Sequence, residues 1–364
     1  MQQIADLAGV SKSAVSLAMS NNPRLPRATR DRIQAIAESL GYQRNPIVDT
    51  LMTQLRASQQ PRFQANIGLI NCSKNRDISS NHTFCALREG VCSRSEQLGY
   101  GVEEFWLDEP FLRPKRLRQI LETRSIRGLI LMATLTPHEI HEGYEDFWDS
   151  FACAVIGVTH AEKMLPSATN DQYLTVRRAV EKVLGIGYQR PVLVAEKQID
   201  ELLDNRFSAG FFAATRHLPT GNQFPMIELN REDPAALIRA VKQANPDVII
   251  TNESFVRDWL ENAGYAVPRS LGMVHLDWHA GLDHWAGMAQ NNVQVGSAGA
   301  DLVIHQLHKN EYGPQQHPKV VMLESEWRDG ASVRSQPSTA SRRRRTSQAK
   351  SSLPKEGKCL APIS

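Results

Sequence analysis

The 364-residue sequence predicts an α/β protein in two parts: a three-helix head of about 45 residues and a two-lobed body built on parallel sheets. Three observations carry this reading. Short amphipathic helical segments separated by turn residues fill residues 3–41. From Asn66 onward, short apolar strands alternate with amphipathic helices. Charge is also divided unevenly, with 8 Lys/Arg against 4 Asp/Glu in residues 1–62, 26 against 34 in 63–333, and 8 against 1 in 334–364. A basic head on an acidic body suits a molecule of which one part meets phosphates and the rest does not.

In the head, Ile4, Ala5 and Ala8 share one face of a first helix, and Gly9-Val10 supplies the turn. Ser11 stands where an N-cap belongs, before a second helix carrying Ala14, Val15 and Ala18. Asn21-Asn22-Pro23 breaks that helix. A third begins near Arg27, places Ile33, Ile36, Ala37 and Leu40 at helical spacing, and stops at Gly41. Three such helices around one apolar patch make a helix-turn-helix domain over residues 1–45. Pro46 opens a hinge and linker over 46–62, in which Val48, Leu51, Met52 and Leu55 have helical spacing on a segment too short to be stable alone.

The body is expected over 63–333. Strands are read at Ile67–Ile70, Leu129–Met132, Ala154–Val158, Val192–Ala195, Val248–Thr251 and Gly272–Leu276. Helices are read at Phe84–Leu98, Tyr173–Leu184, Arg206–His217, Ala235–Ala244 and Ser254–Ala263. This rhythm argues for parallel sheets covered by helices, in two lobes with a ligand cleft between them beyond the strand ends. The first lobe is expected over about 63–158 and 293–317, the second over about 159–292 and 318–333. Residues 334–364, with Arg342 to Arg345 in a row, have too few apolar side chains to fold and read as a disordered basic tail.

Composition excludes several classes. No apolar run approaches the roughly 18 residues that cross a bilayer, and the opening residues have neither a basic nor a long apolar stretch of the kind that directs export, so a cytoplasmic location is expected. Cys72, Cys85, Cys92, Cys153 and Cys359 form no paired or metal-ligand spacing and read as reduced, mostly buried thiols, with no metal and no cofactor expected.

The run Ile4-Ala5-Asp6-Leu7-Ala8-Gly9-Val10-Ser11-Lys12-Ser13-Ala14-Val15-Ser16 closely resembles the opening of the lactose-repressor (LacI/GalR) family. Ser39-Leu40-Gly41-Tyr42-Gln43-Arg44-Asn45-Pro46 resembles the end of the same head domain in that family. The likeness continues more weakly through Asn252-Glu253, Asn262 to Pro268, Val274-His275-Leu276-Asp277 and Trp327 to Ser332. It implies a periplasmic-binding-protein-like body and a homodimer on double-stranded operator DNA. It also implies a small effector in the cleft that alters the fit to DNA. Carbohydrate is the leading effector class, with purines or other metabolites as alternatives, and repression is favoured over activation.

The same resemblance places Lys12, Ser13 and Leu17 against base edges. Leu17 stands where arginine is frequent, leaving only apolar contact such as a thymine methyl. Ser11, Ser16, Arg24, Thr29 and Arg30 are assigned to phosphates, which set register. Leu51 is assigned to a wedge in a central base step. For the effector, the likeness points to Ser73, Phe84, Thr134, Asp171, Arg206, Asn252 and Asp277, with Trp278 either stacking on a sugar ring or serving as a buried structural residue.

Four departures stand out. Glu253 replaces an aspartate. Gly210 follows Arg206 by four residues rather than three. Pro26 replaces an N-cap serine. Met1 aligns inside the first helix, so that helix is expected to fray or the true start to lie upstream. The competing classes are a solute-binding protein and a cleft enzyme. The basic head has no use in the first, and the second lacks any Walker, Rossmann or nucleophile-elbow motif. His82, His160 and His275 could line a cleft, but three dispersed histidines read as polar packing rather than a catalytic set.

Overall fold

The computed structural model describes residues 2–19, 21–40, 63–73, 76–132, 144, 146–157 and 165–334. The hinge with Leu51, Thr134, His160 and the arginine tail therefore lie outside the described residues.

In the head, α1 (Gln2–Ala8), α2 (Lys12–Met19) and α3 (Arg27–Ser39) bury Ile4, Ala5, Ala8, Val15, Ala18, Ile33 and Ala37 against one another. Pro26 enters α3 at φ −56° with no side-chain cap. Its ring supplies the helical entry angle that a capping serine would otherwise secure.

The body holds two six-stranded sheets. In the first lobe run β1 (Ala65–Asn71), α4 (His82–Gln97), β2 (Tyr100–Trp106), α5 (Pro114–Thr123), β3 (Gly128–Met132), β4 (Ala152–Ile156) and β5 (Ser167–Asn170). The second holds α6 (Gln172–Ile186), β6 (Pro191–Ala195), α7 (Lys197–Leu202), α8 (Arg206–Thr215) and β7 (Ile227–Glu228). It continues through α9 (Pro234–Ala244), β8 (Val248–Thr251), α10 (Phe255–Asn262), β9 (Gly272–His275) and β10 (Ala286–Ala289). The chain then returns as α11 (Asn292–Lys309) and β11 (Val320–Leu323) before ending at β12 (Glu326–Arg328).

The first sheet runs β11-β5-β4-β3-β1-β2, wholly parallel. The second runs β12-β10-β9-β8-β6-β7, with only β12 antiparallel. Central strands such as Gly-Leu-Ile-Leu-Met and Pro-Val-Leu-Val-Ala are buried on both faces, which is why they are apolar throughout rather than alternating. Ile67, Leu69 and Ile130 meet Phe84, Leu87, Val91, Val303 and Ile304 on one face, while Ile70, Leu129 and Leu131 meet Leu117, Leu121 and Trp148 on the other.

Two glycines fix the closest helix approach. A Cβ on Gly90 of α4 would lie 1.9 Å from the Val293 carbonyl oxygen, and one on Gly296 of α11 would lie 2.0 Å from that of Leu87. Backbone therefore meets backbone where the returning helix docks on the first lobe.

The lobe boundaries differ from the sequence reading. Segments 167–170 and 320–323, expected in the second lobe, form β5 and β11 of the first sheet. Both strands are four residues long, and β5 carries Ser167, Thr169 and Asn170, so no apolar pattern marks it; pairing with β4 and β11 defines it. The chain thus passes between the lobes three times, near 171, 290–291 and 324–325. Cys85 is exposed and Cys92 half-buried, whereas Cys72 and Cys153 are buried; none of these four is in a disulfide among the described residues.

Candidate functional site

On α2, Lys12, Ser13, Ser16 and Leu17 occupy one arc, opposite the buried Val15 and Ala18. Ser11 sits at the entrance, its Oγ accepting from the Ala14 amide at 3.2 Å. The turn leaving α2 is clamped by α3. Asn21 has φ 52°, and the Arg30 guanidinium donates to its carbonyl at 3.0 Å. Gln34 Nε2 donates to the Ala18 carbonyl and to Asn21 Oδ1, both at 2.8 Å. Arg30 thus has a structural task that the sequence reading did not give it. Arg24 is exposed and Thr29 half-buried at the entry to α3.

Between the lobes lies a cavity of about 380 Å³. Apolar side chains from both lobes line it, Phe84 and Leu87 on one side and Leu203 and Phe207 on the other, with Asn81, His82, Gln172, Arg231, Asn252, Glu253, Asp277 and Gln290 among the polar groups. Phe84, Asn252 and Asp277, singled out in the sequence, lie together on its wall.

The other predicted residues lie elsewhere. Asp171 caps α6, its carboxylate accepting from the Leu174 amide at 2.9 Å. Ser73 is buried behind the end of β1, its amide donating to Asn71 Oδ1 at 3.2 Å. Arg206 is directed at Met322 Sδ, 3.7 Å away on the edge of the first sheet. Gly210 is set by packing, since a Cβ there would lie 2.4 Å from the Tyr173 carbonyl oxygen. Trp278 is half-buried, its indole donating to the Trp285 carbonyl at 3.0 Å as it packs on the second lobe's core.

Asp277 joins the lobes. Its Oδ2 accepts from Thr83 Oγ1 at 2.6 Å and faces His82 Nε2 at 3.0 Å, both on the first turn of α4, while Oδ1 accepts from Asn292 at 3.3 Å. The His82 ring stacks on His279 with centroids 3.8 Å apart. Burial opposes the Asp277 charge, but the bonds from His82 and Thr83 outweigh it and hold the carboxyl below its ordinary value. Burial pushes His275, next to it, down to about 4, and its Nδ1 accepts from the Asp277 amide at 3.1 Å.

Residues 1–45 match the family model "Bacterial regulatory proteins, lacI family". The head is therefore that of the lacI-family regulatory proteins. A curated relative, the HTH-type transcriptional regulator MalR of Staphylococcus xylosus, is 22% identical over 268 residues, covering 73% of this chain and 76% of its own. Among solved structures, the transcriptional regulator CelR–cellobiose complex superposes with a TM-score of 0.57 at 16% identity, covering 90% of this chain and 98% of its own. The Lac repressor dimer bound to operator and the anti-inducer ONPF gives 0.55 at 16% identity, over 91% and 98%. These structural likenesses concern the fold.

Sequence reasoning set His82 aside as polar packing and missed Thr83, Gln172, Arg231 and Gln290. For the first two a signal was present. Asn81 Oδ1 accepts from the amides of Thr83 and Phe84, so the regulator's α4 starts at His82, two residues before the first apolar position that marks it in the sequence. Among the described residues no helix is long and apolar enough to cross a membrane.

Proposed function

We propose that the regulator is a cytoplasmic homodimeric repressor. Lys12, Ser13 and Leu17 read operator bases, and Ser11, Ser16, Arg24, Thr29 and Arg30 hold phosphates. A carbohydrate effector occupies the cavity lined by Phe84, Asn252 and Asp277 and sets the fit to DNA. The observation that carries this reading is the solvent-facing arc of α2, on a head matched by the family model and joined to a two-lobed body with a cavity between the lobes. The cellobiose bound by one structural neighbour and the operator bound by another support the two ligand classes. The relatives are transcription regulators rather than enzymes, and binding alone suffices for this role.

The test is enrichment of duplex DNA from a random pool by the full-length protein, followed by challenge of the enriched complex with sugars. A palindromic consensus that a sugar releases or tightens is expected. Retention of all sequences alike would remove the sequence-specific reading, and indifference to every sugar would remove the carbohydrate effector.

A further inference from the structure

The direction of the amides lining the cleft is fixed by groups that only accept. Gln290 Nε2 donates to the Leu276 carbonyl at 2.7 Å, which turns Gln290 Oε1 toward Gln172, whose Nε2 donates to it at 3.0 Å. A backbone carbonyl never donates, so neither amide is free to flip. Gln172 Oε1 is left buried with no donor among the described residues. Asn252 repeats the pattern: its Nδ2 donates to Glu253 Oε1 at 3.0 Å, and its Oδ1 is buried with no donor among the described residues. Each such orphan acceptor is destabilising, and a donor on an incoming molecule would recover that loss.

The guanidinium in the cleft is already engaged by two carboxylates. Arg231 pairs through Nε with Glu196 and through Nη2 with Glu253 at 2.9 Å, and it lies over the Phe255 ring 4.9 Å from its centroid. The cavity wall also carries Asp277. An anion entering here would meet carboxylates and acceptor oxygens, with the positive charge already engaged.

We infer that the cleft selects a hydroxyl- or amine-bearing molecule without negative charge and rejects its phosphorylated and acidic counterparts, Gln172 Oε1 and Asn252 Oδ1 each taking a hydrogen from it. The inference rests on the proposed placement of the effector between the lobes. Phe84 and Phe207 supply apolar faces for a ring, and the two orphan oxygens fix its orientation.

Thermal-shift titration and calorimetry on the full-length protein test this with matched probes: cellobiose, maltose, glucose and glucosamine against glucose 6-phosphate, glucuronate and inorganic phosphate. A neutral or amine probe is expected to bind at least about tenfold more tightly than its anionic counterpart. That probe should lose about tenfold in affinity on Gln172→Met; unchanged affinity would remove Gln172 from the site. In the double variant Glu196→Gln/Glu253→Gln, Arg231 is released and the protein gains stabilisation by glucose 6-phosphate. This arm decides the matter even if no neutral probe binds the parent. Binding of an anionic probe by the parent that Arg231→Gln abolishes, or no gain in the double variant, overturns the inference. DNA enrichment on the same preparation reports separately on the regulator reading.

Discussion

His82 and Asp277 face each other from opposite lobes, imidazole Nε2 3.0 Å from carboxylate Oδ2, and with Thr83 they link the lobes on the wall of the cleft. Replacing Asp277 by alanine leaves His82, Thr83 and Asn292 without their shared acceptor. The expected outcome is a looser pair of lobes, seen as a larger radius of gyration by small-angle scattering at about pH 7.5, where the carboxylate is charged. Effector affinity should fall with it. An unchanged scattering profile would mean that the lobes are held together without the Asp277 contacts.

Acid should destabilise the body through His275. Its folded value of about 4 lies below the ordinary 6.5, so between these values the unfolded chain binds a proton that the folded chain does not. Stability present above pH 6.5 is therefore lost as pH falls toward 4, at up to about 1.4 kcal/mol per pH unit. Asp277, also held low, adds loss in the same direction at the acid end. Melting curves from about pH 7.5 to about 4.5 should show this slope, and His275→Gln should flatten it; an equal slope in both proteins would place the titration elsewhere.

Gly296→Ala should be severely destabilising. The added methyl meets the Leu87 carbonyl in backbone that has no side chain to swing aside, so α11 must move off α4. A loss of about 1–3 kcal/mol or more is expected by denaturant unfolding. Gly221→Ala, in open space on an exposed turn, should change little.

In the head, Lys12→Ala and Arg30→Ala should separate reading from anchoring. Lys12 is exposed on α2, so its loss changes base preference in a selection experiment while leaving the melting of the head intact. Arg30 holds the Asn21 carbonyl, so Arg30→Ala should weaken every duplex alike and lower the melting temperature as well. Full stability in Arg30→Ala would mean that Gln34 alone holds that turn.

The head was legible residue by residue because its core is local: Ile4, Val15, Ile33 and Ala37 sit at helical spacings within one short segment. The alternation of strand and helix was legible for the same reason, since β6 and β8 are apolar runs bounded by turns. Elements defined by distant partners were not. β5 is polar in sequence and exists through β4 and β11, and α11 carries Gly296 and Gly299, which lower helix propensity but admit the neighbouring helix and strand. At the site, Asp277 was found by resemblance, yet its engagement with α4 depends on where that helix begins. Arg231 belongs to a surface pattern in sequence and gains meaning only between Glu196 and Glu253.

The three crossings also bear on how the chain acquires its shape during synthesis. The first sheet lacks its edge strand until residue 323, and the face carrying Ile67 and Ile130 lacks α11 until residue 309. The second sheet needs only β12 and the 330–333 segment after residue 289. On a ribosome emitting about 5–20 residues per second, the first lobe, although it begins earlier, thus keeps that apolar face open while strands β6 to β10 of the second lobe are made. Chaperones that bind nascent apolar surface should therefore engage residues 65–132 in preference to 191–289.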